Sequence, residues 1–291
     1  MKKHIFAILF CCVLLLYGCN TQPEKYKRIS FESEDQFNYL NDDTVVVNNA
    51  GEPFSSQIPI YEIEERIISD NERQLLMDNL EFPADPYYFE HEGNSIIISL
   101  ASYTDSDRGY FNMTEEEAEE QAWKLFNQIP FMEGDYECLG IRHTYTLSDK
   151  EGTHTTRAGV VFCRVLDGVR VTGNGACTLY LDGSGLVEIC LELYNYEEIG
   201  TMDMVPLADA ETRIKTPDGF DIGTVESQPY KQVETLQVNQ VNLRLVNQYS
   251  RGCNILQPIY FFTGTATVED GTQSEFSSKV IAIPEALTYE E

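Results

Sequence analysis

The sequence predicts an α+β protein in which helices pack on antiparallel β-sheet meanders, arranged as two related modules. Three observations predict it. Two Ser/Thr-x-x-Glu boxes open segments with helical apolar spacing. Asp-Gly turns separate runs in which apolar and polar residues alternate. A helix followed by strands then recurs after Pro206.

Taken in order, the first helix opens at Ser69, with Glu72 three residues on, and runs through Met77 to about Leu80. A buried strand follows from Ser95 to Tyr103. The second helix opens at Thr114 with Glu117, and acids at 115, 116 and 117 suit the positive end of its dipole. Ala118, Ala122, Leu125, Phe126 and Ile129 recur on one face, so the glutamates read as the solvated face. Gly159–Leu166 and Val169–Leu181 flank Asp167-Gly168, a strong two-residue hairpin signal. Asp182-Gly183-Ser184-Gly185 makes a second turn before Leu186–Tyr194. There Val187, Ile189, Leu191 and Leu193 alternate with Glu188, Cys190 and Glu192, which buries one face and wets the other. A short third helix follows Pro206, near Leu207–Lys215, and late strands fall at Val241–Leu245, Pro258–Val268 and Lys279–Ile283.

The N-terminus reads as an address. Met1-Lys2-Lys3-His4 is basic, and Ile5–Tyr17 is an unbroken apolar run. At ~1.5 Å per residue its 13 residues span roughly 20 Å, short of the ~30 Å hydrocarbon core, which marks a signal-peptide core rather than a spanning helix. The run ends in Leu16-Tyr17-Gly18-Cys19, which resembles the lipobox of bacterial lipoproteins. That resemblance implies a diacylglycerol thioether on Cys19 and attachment to the membrane through the N-terminal lipid. The expected organisation is a signal peptide over 1–18, the lipidated cysteine and a polar tether over 19–40, a helix-plus-sheet module over 41–203 and a smaller α+β module over 204–291.

Charge excludes some functions. The 291 residues carry 48 Asp+Glu against 20 Lys+Arg, a net charge of −28. Loss of Lys2 and Lys3 with the signal peptide leaves 18 basic residues and a charge of −30. Such a surface repels nucleic acid and anionic lipid, so no nucleic-acid partner is expected. With 42% hydrophobic and 11% aromatic residues, the body is nevertheless a globule with a core. Seventeen Tyr and fifteen Phe, as in Tyr87-Tyr88-Phe89 and Tyr260-Phe261-Phe262, read as core and strand packing.

Phe162-Cys163-Arg164-Val165-Leu166-Asp167-Gly168-Val169-Arg170-Val171-Thr172-Gly173, followed by Leu181-Asp182-Gly183-Ser184-Gly185-Leu186-Val187, resembles the extracytoplasmic PepSY-like and YycI/YycH-like domains of Firmicutes. Thr114-Glu115-Glu116-Glu117-Ala118 resembles their helix start, and Leu256–Phe262 their closing strand. The resemblance spans roughly residues 110–285 and implies a helix on an antiparallel sheet and a non-catalytic envelope role, such as modulating a sensor kinase or protease. The chain differs in having a lipobox where YycI-type proteins have a transmembrane helix.

Tests for chemistry return little. His91, His143 and His154 lack metal-ligand spacing, with no His-Glu-x-x-His and no Cys-x-x-Cys, and they read as loop or solvated residues. Ser184 sits in a hairpin turn without Gly-x-Ser-x-Gly spacing. Asp105, Asp107 and Glu116 fall at positions 1, 3 and 12 of an EF-hand count, as a calcium candidate, but Tyr110 stands where that loop needs glycine. No other metal and no cofactor is expected. Cys177 and Cys190 are expected to face each other across the Asp182–Gly185 turn, as a cross-strand cysteine pair.

The expected function is therefore binding or regulation outside the cytoplasm, at the cell membrane, towards another envelope protein or a peptide, without catalysis. The alternatives are a cell-wall-directed hydrolase using paired carboxylates, or a lipoprotein that captures small ligands.

Overall fold

The computed structural model describes residues 26–29, 45–48, 54–102, 109–148, 150, 152–173, 176–214, 220–221, 233–247, 254–284 and 286–289. In chain order the elements begin with β1 (Tyr26–Ile29), β2 (Val45–Asn48), β3 (Gln57–Glu65), α1 (Asp70–Asn79), β4 (Tyr88–Glu92) and β5 (Ser95–Ser99). Then come α2 (Glu115–Phe126), β6 (Asp135–Ser148), β7 (Thr153–Leu166), β8 (Val169–Thr172), β9 (Ala176–Asp182), β10 (Gly185–Glu192) and β11 (Tyr194–Asp203). The remainder is α3 (Leu207–Arg213), β12 (Phe220–Asp221), β13 (Val233–Asn247), β14 (Leu256–Val268), β15 (Gln273–Ile281) and β16 (Ala286–Tyr289).

This corrects the expected α+β class. Three helices stand against sixteen strands among the described residues, and the fold is predominantly β. The three helices lie where the sequence predicts them, but strands β2, β3, β4, β6, β11, β12 and β16 carry no prediction, and β1 falls within the segment read as a tether. Half of the 14 residues of β6 are exposed and only Gly140 is buried, so its sequence lacks the apolar alternation that announces a half-buried strand. β8 and β9, expected as one run, are separated at Gly173.

The chain divides into two compact units. Among the described residues, the central unit lies within Ile63–Tyr196, and the terminal unit combines those up to Glu62 with those from Glu197 onward. The described residues before Ile63 thus group with those after Tyr196, whereas the sequence reading sets its boundary at 203/204. Along the chain, one continuous unit interrupts a discontinuous one.

In the terminal unit the strand order is β12-β15-β14-β13-β2, with β2 parallel to β13 and the other pairings antiparallel. β1 pairs with β16 separately. Leu236, Phe262, Ala266, Phe276 and Val280 are buried here, and the Tyr260 hydroxyl donates to the Val205 carbonyl at 3.0 Å.

In the central unit the order is β6-β7-β9-β10-β5-β4, all antiparallel, with β8 continuing the hairpin beyond β7. Both predicted capping boxes form. Ser69 and Glu72 exchange hydrogen bonds at the start of α1, and Thr114 and Glu117 do the same for α2. Ala118, Ala122 and Phe126 of α2 and Leu76 and Met77 of α1 bury against Ile96, Ile98, Phe162, Leu179 and Ile189 on one face of the sheet. Phe126 stacks on Phe162 with centroids 4.4 Å apart, and Trp123 meets Phe162 edge-on at 4.8 Å. Asp167 and Gly168 both take positive φ, +47° and +77°, the backbone that a tight hairpin with native twist requires.

Candidate functional site

The face of the central sheet opposite the helices carries Glu188, Tyr180, Arg157 and Tyr88. Register aligns Tyr88, Ser99, Glu188, Tyr180, Gly159 and His143 across six strands in one row. The two sides of this row differ in what their polar groups do.

On the β6 side a network closes on itself. Arg157, 3% exposed, donates one nitrogen to Glu188 Oε2 at 2.8 Å and another to the Ala101 carbonyl at 2.9 Å, with its guanidinium 5.8 Å from the Tyr145 ring. Such a buried cation is tolerable because both a carboxylate and a carbonyl meet it. The Tyr180 ring lies across β7 where Gly159 has no side chain. A Cβ at Gly159 would stand 2.6 Å from Tyr180 Cε1. Burial first, then Tyr145 nearby, pushes the Tyr180 hydroxyl well above the usual phenol range.

Cys190 sits beside this network, with its thiol 3.5 Å from Glu188 Oε1. Burial first, then the charge of Glu188, pushes this thiol up to about 12, which keeps it protonated and a poor nucleophile. Cys177 is fully buried on the helix side, and burial raises its thiol further still. The two do not face each other. Leu181 pairs with Leu186 as expected, but a register shift between Leu186 and Glu188 sets Cys177 opposite Leu191 and Cys190 opposite Thr178. That bulge adds one residue to β10, and one residue turns a side chain to the opposite face. Both thiols are free.

On the β4 side the strand edge and its aromatic rings stay open. β4 pairs with β5 alone among the described residues, in a register without shifts. Tyr87, Tyr88 and Phe89 are 67%, 46% and 37% exposed, contrary to the packing role expected of this run. Leu75 and Ile67 are exposed nearby, and Ile67 reaches the Gly93 turn beside the Glu65 carboxylate. Arg73 of α1 lies 5.5 Å over the Phe89 ring, and the Tyr88 hydroxyl bonds Glu90. By contrast Tyr260 and Phe262 are buried as expected, while Phe261 is half-buried beneath Arg244.

The remaining sequence candidates do not converge. His91 bonds the Ile68 carbonyl at 2.9 Å, His143 is 6.3 Å from the Tyr180 ring, and His154 stacks on Tyr110 at 4.5 Å, all three from strands rather than loops. Ser184 occupies the β9–β10 turn, its N–H donating to Asp182 Oδ1 at 2.8 Å. Glu116 is exposed in the first turn of α2, while Asp105 and Asp107 lie outside the described residues, as do residues 1–25 with Cys19. Among the described residues no three His, Cys, Asp or Glu side chains gather as a metal site, and no helix is long and apolar enough to cross a membrane.

The β4 edge is the site that sequence reasoning missed. Its signal was present: Gly93-Asn94 between Glu92 and the apolar Ser95–Ser99 run is a two-residue hairpin turn, which makes Tyr88–Glu92 the partner strand. Neither a known protein family nor any curated protein matches the chain.

Proposed function

We propose that this chain is a lipid-anchored extracytoplasmic envelope protein that binds another envelope protein or a peptide and acts without catalysing a reaction. The observation that supports it best is the contrast within the central sheet: charged groups around Arg157 are consumed by one another, whereas β4 leaves backbone groups and aromatic surface free for a partner. The lipobox-like ending at Cys19 supports the membrane attachment, and the resemblance of residues 110–285 to PepSY-like and YycI/YycH-like domains supports the regulatory role.

The test has two parts. Metabolic labelling with an alkynyl palmitate analogue should mark the wild-type chain and not Cys19→Ala, and equal labelling of both would remove the anchor. Photo-crosslinking in cells, from single probes placed at Tyr87, Tyr145 and Glu275, should recover a defined envelope protein or peptide from at least one position. Recovery of nothing but this chain from all three would remove the binding reading.

A further inference from the structure

Resting on that binding reading, we infer that the free edge of β4 takes up an extended segment of its partner as an added strand, and that this segment alternates basic with apolar residues.

Hairpin geometry decides which backbone groups are free. Glu92 faces Ser95 across the two-residue turn, so the N–H and C=O groups of residues 88, 90 and 92 bond to β5. Those of Phe89 and His91 point away from it, along the open edge. The side chains alternate with the same period. Tyr88, Glu90 and Glu92 lie on the face of Glu188 and Cys190, and Phe89 and His91 on the face of α1.

Edges are ordinarily blunted by bulges, prolines, charged side chains or short length. β6, the opposite edge of this sheet, shows that device: its pairing with β7 shifts register at three places between Cys138 and Thr146. β4 has neither bulge, proline nor lysine. It carries Glu90 and Glu92 instead, with Glu65 close to its turn, and neither Glu90 nor Glu92 has a cationic partner among the described residues.

Those carboxylates choose the occupant. A second copy pairing antiparallel through Phe89 and His91 would set Glu90 directly opposite Glu90, in a molecule whose net charge is already −28. Like charges directly opposed across strands are destabilising, so self-pairing is disfavoured. A strand with Lys or Arg opposite Glu90 and Glu92 gains opposite-charge pairs, and its interleaved apolar side chains cover Phe89. Backbone bonds at residues 89 and 91 supply the attachment, and charge supplies the discrimination.

The experiment uses the full chain and a capped, fluorescein-labelled peptide of alternating Lys and Val, seven residues long, followed by anisotropy at physiological salt. Saturable binding is expected. It should weaken at least tenfold in Glu90→Lys and in Phe89→Pro, which deletes an outward N–H but no bond to β5. Asp209→Lys, which changes net charge equally but lies on α3, should bind as the wild type does. A peptide of alternating Glu and Val should not bind, nor should the Lys-Val peptide with its alternate amides N-methylated. Circular dichroism of each variant checks that the fold is intact, and Glu90→Gln, expected to weaken binding less than Glu90→Lys, serves if the lysine variant misfolds. Equal binding of the N-methylated peptide, an unaffected Glu90 variant, or no binding of the Lys-Val peptide would overturn the inference. Crosslinks to a partner from Tyr145 or Glu275 alone would leave the binding reading standing while this one fell.

Discussion

The two sides of the central sheet are built from the same kinds of residue and differ in how far their polar groups are paired. On the β6 side His143, Tyr145, Arg157, Tyr180 and Glu188 lie against one another, and Arg157 is almost wholly buried. On the β4 side Tyr87, Tyr88, Phe89 and Glu90 stand in solvent. The difference teaches that composition does not set availability. Strands β7, β9 and β10 have neighbours on both sides, so their backbone groups are paired and their side chains enclosed. β4 has one neighbour among the described residues, and the backbone groups of two of its five residues, Phe89 and His91, face away from it.

The comparison breaks first at Arg157. Replacing it with Leu leaves Glu188 without its charge partner and should destabilise the central unit by about 3 kcal/mol, the lower end for a broken buried pair. Urea unfolding followed by the fluorescence of Trp123, the single tryptophan, reads the core of that unit. Arg157→Leu combined with Glu188→Leu should recover most of the loss. A single-variant loss below about 0.5 kcal/mol, the scale of an ordinary surface substitution, would show that the β6 side is not closed.

Next is Gly159→Ala. The added methyl group must displace the Tyr180 ring, so a loss of about 2 kcal/mol is expected by the same measurement. Tyr180→Ala in the same chain should remove the clash and make the alanine at 159 nearly neutral.

A smaller effect is expected at the helix beside β4. Ser69→Ala removes the side-chain half of the α1 capping box and should lose about 1 kcal/mol. Burial works to raise the Glu72 carboxyl, but hydrogen bonds from the Ser69 backbone and hydroxyl and from Arg66 outweigh it and hold the group below the usual carboxylate range. A lowered folded value contributes stability that is whole above the unfolded value, about 4.3, and is lost as pH falls through the folded one. The gap between wild type and Ser69→Ala should therefore narrow in acid below that point, which an unfolding series against pH measures.

The smallest effect sharpens the contrast. Tyr87→Lys, at the most exposed aromatic among the described residues, should change stability by less than about 0.5 kcal/mol. A larger loss would mean that the β4 side is packed and not open.

Legibility in the sequence followed distance along the chain. Ser69 with Glu72, Thr114 with Glu117, and Asp167 with Gly168 act within three residues, so their helix starts and turn were readable and are present. Strand β6 lacks a period-two apolar pattern, and β4 lacks one too, so β4 was legible only through the Gly93-Asn94 turn that joins it to Ser95–Ser99. The Cys177 and Cys190 expectation failed by a single residue: the turn was right, and the bulge beyond Leu186 reversed the face of every position after it.

By itself the sequence determined the three helices, the tight turns, the acidic surface and the expectation of an anchor at Cys19, because each rests on adjacent residues or on composition alone. Only the tertiary structure decided that strands outweigh helices, that the central unit runs from Ile63 to Tyr196, that Arg157 meets Glu188 and that β4 is an edge. Each of these depends on which strand lies beside which, and strand neighbours are brought together by pairing and burial across long stretches of chain.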